Sequence, residues 1–390
     1  MKNKLLIITF LFILFSCGSG TVTTNNNHNN LSSSAQEDPV TEEIINHYTL
    51  NFLAAGDNLL HDTIIRASYI NGHYDFSSLY SDIKDIVEMA DIAFVNQETV
   101  MAGESYGYSG YPVFNSPQSL AHYLADAGFD IINLANNHAM DMRAPGLYAT
   151  LDFLDTVEGL TVIGARREGD SARIITKNNI SLGFLSYSLG LNGFVLPANN
   201  PNLVSLINRT KMEQEITALR PLCDFLIVSM HWGAEYLLQP GNDQVSLANF
   251  LAGLNVDLII GHHPHVLQKA EYITLNDGRR TLCYYSLGNL ISNQAEWERL
   301  YGGLAIVTFS KIESNINPTQ LSISSYGMVP VVTHFDKSFR NHKTYPLYLY
   351  NEELLQSHNK KNPGDGFTMD FFYKVLERVH ANIFLFNPFN

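Results

Sequence analysis

The chain has 390 residues, with 24 Lys and Arg against 38 Asp and Glu, a net charge of −14 at pH 7 and 45% hydrophobic residues. So acidic a chain repels phosphate backbones and offers no basic face, which excludes nucleic acid as a partner. Three cysteines with no CxxC spacing exclude a cysteine zinc site, and the length suits one large domain or a domain with an appendage.

Residues 1–17 begin with Lys2 and Lys4, continue through apolar residues from Leu5 to Phe15, and reach Ser16 and Cys17. A basic start, about ten apolar residues and a small residue make a secretory signal, whereas a membrane span needs about 20. Leu14, Phe15, Ser16 and Cys17 resemble a bacterial lipobox. That predicts export, acylation of Cys17 and anchoring to a bacterial membrane of the cell envelope; the alternative is an ordinary signal peptide with Cys17 incidental. Residues 18–47, rich in Ser, Thr and Asn, have too little to bury and read as a disordered tether.

From residue 48 short apolar runs alternate with helical patterns, the signature of layered α/β architecture. Strands are predicted over residues 50–55, 92–95 and 131–134. Between and after them lie helices over 76–89 and 117–127, the latter with Ser116 as N-cap, and a helix starting at Pro145, a position proline favours. The second half repeats the habit with strands over 180–187, 225–230 and 258–260 and helices over 211–219 and 244–254. Strands over 282–286, 303–309 and 321–332 follow, then a helical tail over 369–386. Residues 48–335 are read as the domain and 336–390 as a helical extension packed on it. Cys223 and Cys283 sit in apolar runs and read as core residues, with pairing as the alternative.

The polar residues that could bind metal sit directly after strands, where open α/β sheets assemble their sites. Five strand ends carry Asp57, Asn96 with Glu98, Asn137 with His138 and Asp141, His231, and the run Gly261, His262, His263, Pro264, His265. Three of the 14 histidines thus fall within four positions. Imidazole is the usual nitrogen ligand of borderline divalent metals, and carboxylates at the same edge would screen the repulsion between two cations.

Together these segments, with Ala90, Asp91, Ile92, with Gly128, Phe129, Asp130, with Trp232, Gly233, Glu235, and with Tyr285, Ser286, Leu287, Gly288, Asn289, resemble the capsule-synthesis protein CapA family. That family is associated with poly-gamma-glutamate capsules and is related to the calcineurin-like metallophosphoesterases; the likeness spans residues 50–332. It implies a four-layer α/β/β/α sandwich of two mixed sheets, a metallophosphoesterase-like fold. It also implies two divalent ions, Mn, Zn or Fe: Asp57 and His265 on one, Asn137, His231 and His263 on the other, Glu98 between them. His138 would be the general acid, with Asp141 orienting it, and His262, Asn96 and Glu235 are further candidates.

The likeness has departures. Where the phosphoesterases place a histidine two residues after the first aspartate, this chain has Leu59, with His61 four residues on. The bridging residue is Glu98 rather than an aspartate, and Gly261 lies one residue further from the His263/His265 pair than the pattern expects. The implied activity is hydrolysis of a phosphoester or a gamma-glutamyl amide by a metal-activated water, with an anionic envelope polymer such as polyglutamate, or its synthesis machinery, as partner. The alternative is a non-catalytic surface lipoprotein that binds, exports or anchors such a polymer through the metal site.

Overall fold

The computed structural model describes residues 43–168, 172–379, 381–386 and 388. The expected signal peptide, the lipidation of Cys17 and most of the tether lie outside the described residues. The strands are β1 (Ile45–Asn58), a hairpin of β2 (Tyr69–Ile70) and β3 (His73–Tyr74), β4 (Ile92–Gln97), β5 (Ile131–Asn133), β6 (Thr161–Ile163), β7 (Arg173–Lys177), β8 (Ile180–Ser188), β9 (Phe225–His231), β10 (Leu258–His262), β11 (Ala270–Thr274), β12 (Arg280–Tyr284), β13 (Asn289–Ile291), β14 (Tyr301–Ser314), β15 (Gln320–His334) and β16 (Lys343–Pro346). The helices are α1 (Asp62–Ala67), α2 (Ser77–Tyr80), α3 (Lys84–Glu88), α4 (Leu120–Asp126), α5 (Arg143–Leu154), α6 (Arg209–Leu219), α7 (Asn242–Gly253), α8 (Glu352–Ser357) and α9 (Met369–Glu377).

Two large mixed sheets result. The first has the order β16-β15-β14-β1-β4-β5-β6 with β13 beside the end of β1, and the second β11-β12-β10-β9-β8-β7. Alternation along each strand decides what every face meets. In β1, Leu50, Phe52 and Ala54 point between the sheets, where they pack with Phe94, Phe184, Ile227, Ile260 and Phe309. Leu53 and Ala55 point the other way, into a core shared with Ile64, Leu120 and Leu147 of α1, α4 and α5. The outer face of the second sheet, with Leu185, Val228 and Ile259, buries Met212 and Ile216 of α6 and Leu251 of α7. The expected α/β/β/α sandwich of four layers is therefore the observed one. Each buried aromatic between the sheets contributes roughly 1.5–3 kcal/mol, and the Phe52 and Phe184 rings lie 6.0 Å apart.

Several elements differ from the sequence reading. The helix expected over 76–89 is two pieces, α2 and α3; its apolar stripe continues unbroken through Phe76, Leu79, Tyr80, Ile83, Ile86 and Val87, so periodicity could not mark the interruption. Helix α4 begins at Leu120, and Ser116 does not cap it because its hydroxyl is bonded to Thr99 Oγ1 at 2.7 Å. The tail is helical only over α9, capped by the Thr368 side chain. Beyond it the Asn382 amide donates to the Tyr326 carbonyl and Ile383 bridges to Met328, so the chain runs along β15 instead of coiling. Strand β1 begins at Ile45, inside the segment assigned to the tether, and the C-terminal segment supplies β16 and the core residues Phe367 and Phe372. Cys223 and Cys283 are free thiols in the outer core of the second sheet. No helix among the described residues is long and apolar enough to cross a membrane.

Candidate metal centre

Parallel pairing brings the strand ends into one row. Asp57 stands opposite Asn96, Asn96 opposite Asn133, and His231 opposite His262. The first sheet thus delivers Asp57, Glu98 and Asn137, and the second delivers His231, His263 and His265. Close backbone approach makes two glycines necessary: a Cβ on Gly56 would fall within 2.9 Å of the Leu287 carbonyl oxygen, and one on Gly261 within 2.7 Å of the Trp232 indole nitrogen. On either side of Pro264, His263 and His265 hold φ values of 95° and 57°. Non-glycine residues rarely adopt such angles, which cost of order 1–3 kcal/mol and persist only where the surroundings fix them.

Glu98 is completely buried. Its Oε1 lies 3.4 Å from His231 Nε2 and 3.7 Å from His265 Nε2. His231 Nε2 also faces Asn137 Oδ1 at 2.9 Å. Asp57 Oδ2 is 3.2 Å from His265 Nδ1, and Asp57 Oδ1 is 3.2 Å from His262 Nδ1. Ligand-type atoms of Glu98, His231 and His263 all lie within 4.8 Å of one another, as do those of Asp57, Glu98 and His265, and those of Glu235, His263 and His265. The first two groups share Glu98.

A polar chain holds this arrangement from behind. The Ser186 hydroxyl donates to Asn133 Oδ1 at 2.6 Å, the Asn133 amide to Asn96 Oδ1 at 2.8 Å, and the Asn96 amide to Asp57 Oδ1 at 2.8 Å. Asn289 Oδ1 meets His265 Nδ1 at 3.0 Å, which leaves Nε2 facing Glu98. Such outer partners fix the orientation of metal-binding side chains. Asn96 therefore lies behind Asp57, while Glu235 is exposed and groups with His263 and His265.

Electrostatics agrees with a cation-binding role. Burial, followed by repulsion from Asp57, Glu235 and Asp141, pushes the Glu98 carboxyl well above its usual range. Burial also raises Asp57, but its hydrogen bonds with His262 and His265 outweigh that and hold it well below. Burial and the neighbouring His263 hold His231 well below the usual imidazole value, and burial and His265 lower His263 to about 4. Neutral imidazoles are the form that binds metal. Both Glu98 oxygens, His263 Nδ1 and His262 Nε2 are buried with no hydrogen-bond partner. Buried polar atoms are normally paired, and a carboxylate flanked by imidazoles with nothing to bond is what a divalent ion would satisfy. The donor set of carboxylate, amide oxygen and imidazole fits Mn, Zn or Fe.

Beside this cluster, His138 Nδ1 meets Asp141 Oδ2 at 2.8 Å, and the same oxygen accepts the Phe114 amide at 2.7 Å. The Phe114 ring stands edge-on to His138 with centroids 4.7 Å apart. Sequence reasoning missed Asn192, whose amide is 3.3 Å from His138 Nδ1 and whose Oδ1 accepts from Asn137 at 3.2 Å. It follows the end of β8, so the strand-end argument applied once more would have found it. It also missed Asn133 and gave Asn289 no role. At the position of the departure, Leu59 is buried and apolar, while His61 Nδ1 accepts the Asn293 amide at 3.2 Å. Burial lowers His61 to about 4, with repulsion from His265 and His138 contributing.

Residues 51–294 match the family described as "Bacterial capsule synthesis protein PGA_cap". The "Capsule biosynthesis protein CapA" of Bacillus anthracis is 25% identical over 312 residues, which cover 76% of this chain and 67% of that protein. The "PGA biosynthesis protein CapA" of Bacillus subtilis (strain 168) is 31% identical over 181 residues, so the match spans 45% of this chain and just under half, 46%, of that relative. Among solved structures, Haemophilus influenzae NAD nucleotidase aligns with TM-score 0.43 at 13% identity, covering 85% of this chain and 67% of that one. A 5'-nucleotidase precursor from Thermus thermophilus aligns with TM-score 0.40 at 15% identity, covering 68% and 54%. With well over half of its residues inside the family match, the chain belongs to the bacterial capsule synthesis protein PGA_cap family.

Proposed function

We propose that this chain is a metal-dependent hydrolase acting on an anionic polymer of the bacterial cell envelope, to whose membrane Cys17 anchors it. Asp57, Glu98 and His265 would hold one divalent ion, and Glu98, Asn137, His231 and His263 another. The observation that carries this reading is the Glu98 carboxylate, wholly buried between imidazoles with neither oxygen hydrogen-bonded. When bound, such ions lower the pKa of water and screen the charge that develops on an attacked phosphoryl or acyl group.

The side chains divide the remaining work. Glu98 supplies negative charge common to both groups, and the chain through Asn96, Asn133 and Ser186 keeps Asp57 in place. Asp141 fixes the His138 ring through Nδ1, so Nε2 is the atom that would hand a proton to a leaving group. The names of the two Bacillus relatives support a capsule polymer, polyglutamate or its synthesis machinery, as what this chain meets.

One feature favours a second reading, a polymer-binding component without turnover. Leu59 stands buried where the phosphoesterase pattern puts a histidine, so the Asp57 group offers fewer donors. The full chain, purified in detergent and loaded with Mn²⁺ or Zn²⁺, should hydrolyse either a generic phosphodiester or a gamma-linked glutamate oligomer. Turnover lost on His138→Gln, with metal content unchanged, supports the enzyme; bound metal with no turnover of either substrate supports the binding component.

A further inference from the structure

A polar cavity of about 480 Å³ opens beside α1 and the β2–β3 hairpin, with residues 340–342 closing its other side. Arg66 and Arg340 both line it, and neither guanidinium has an ion pair or hydrogen bond among the described residues. In a chain with 38 acidic and 24 basic residues, two idle guanidiniums at one cavity call for a reason. His342 lines the same cavity, is 3% exposed, and has no hydrogen-bond partner at either ring nitrogen. A neutral imidazole carries one donor and one acceptor, and both here are unused. Its ring stacks on Phe335 with centroids 5.1 Å apart, so its plane is set by packing.

We propose that this cavity is a carboxylate-binding site, in which Arg66 and Arg340 grip an acidic side chain of a polymer strand and His342 donates a hydrogen bond to it. Paired guanidinium donors match the geometry of a carboxylate. The one acid on the wall, Asp75, is already engaged by the Ser77 amide at 2.9 Å, so two cationic groups face one anionic group. Exposed Tyr69 and Ile70 supply apolar wall for the methylenes of a glutamate-type side chain.

The site and the metal centre flank the same short helix. Arg66 lies in the last turn of α1 and His61 immediately precedes its first residue. His61 feels the charges of His265 and His138, and His342 in turn feels His61. A repeating acidic polymer can occupy both places, so that each contact raises the effective concentration of the other. The inference rests on the reading that this chain handles an anionic envelope polymer, and it adds a grip on that polymer away from the metals.

The test uses the full chain in detergent with excess EDTA, so that metal contributes nothing, and measures fluorescence anisotropy of labelled gamma-linked tetraglutamate. Arg66→Gln/Arg340→Gln should bind about a hundredfold more weakly than the parent chain, about tenfold for each guanidinium lost. Both arginines are exposed, and far-UV circular dichroism of the double variant should be unchanged. The proposal is overturned if the parent does not bind the oligomer, if the double variant binds it equally well, or if inorganic phosphate displaces it at equal concentration. Hydrolysis is read separately in metal-loaded protein, so a failure of turnover refutes the hydrolase reading and leaves this binding result standing.

Discussion

Glu98→Gln keeps the shape of the side chain and removes its charge. In metal-free protein Glu98 has no hydrogen bonds, and burial with three nearby carboxylates raises its pKa well above 4.5. A group raised on folding contributes stability below its unfolded pKa and loses it as pH rises, so at neutral pH the charged form is a burden that glutamine lacks. Metal-free Glu98→Gln should therefore melt at or above metal-free parent, within about 1–3 kcal/mol, the range for one buried polar group left unpaired. Metal reverses the order. At a thousandfold excess over Kd an ion adds about 4 kcal/mol to the parent, and at about 2 °C per kcal/mol for a domain of this size the melting point rises by about 8 °C. Lacking the carboxylate common to both groups, the variant should gain less than about 2 °C under the same conditions. Thermal melts of the full chain in EDTA and then in Mn²⁺ or Zn²⁺, with metal counted by mass spectrometry, decide it. A variant that gains as much as the parent, or that melts far below it without metal, would refute the assignment of Glu98.

His138→Gln and Asp141→Asn should each lower turnover about 10²-fold or more while metal content stays at the parent level; loss of metal would place His138 among the ligands instead. Gly261→Ala puts a methyl group against the Tyr285 carbonyl and the Trp232 ring, and should cost about 3 kcal/mol or more by urea unfolding. Metal-free protein should be acid-labile. His61, His263, His334 and His342 are each lowered to about 4, chiefly by burial. Groups lowered in this way stabilise above 6.5 and lose that contribution as pH falls towards 4, at up to about 5 kcal/mol per pH unit for four of them near pH 5. Urea titrations at pH 7, 6 and 5 measure that slope, and a flat profile would contradict it.

The candidate site was more legible than the fold around it. Ligand-type residues at strand ends are visible in sequence because the hydrophobic run stops where the chemistry begins, as at Met230/His231 and Ile260/Gly261. The missed strands β2, β3, β6, β7, β11, β13 and β16 are short or at sheet edges, where neither alternation nor an apolar run rises above the loops. The division into two stacked sheets could not be read from alternation alone, since Phe52 and Phe184 are each simply apolar until the two faces meet. Asn133 was invisible for a different reason: an amide behind a ligand resembles any other polar residue at a strand end, and only its partners reveal its role.

The origin of the donors has a mechanical consequence. Oxygen ligands come from one sheet and imidazoles from the other, so ions at the centre would rivet together two plates whose contact is otherwise mostly apolar, with the Ser186–Asn133 hydrogen bond among its polar links. Sliding one plate by even an ångström would pull carboxylate from nitrogen, which makes metal affinity a strain gauge for their alignment. Trimming the Phe52, Phe184 and Phe309 interface would then loosen the metals well before the chain unfolds, and a change far from the chemistry would first be felt there.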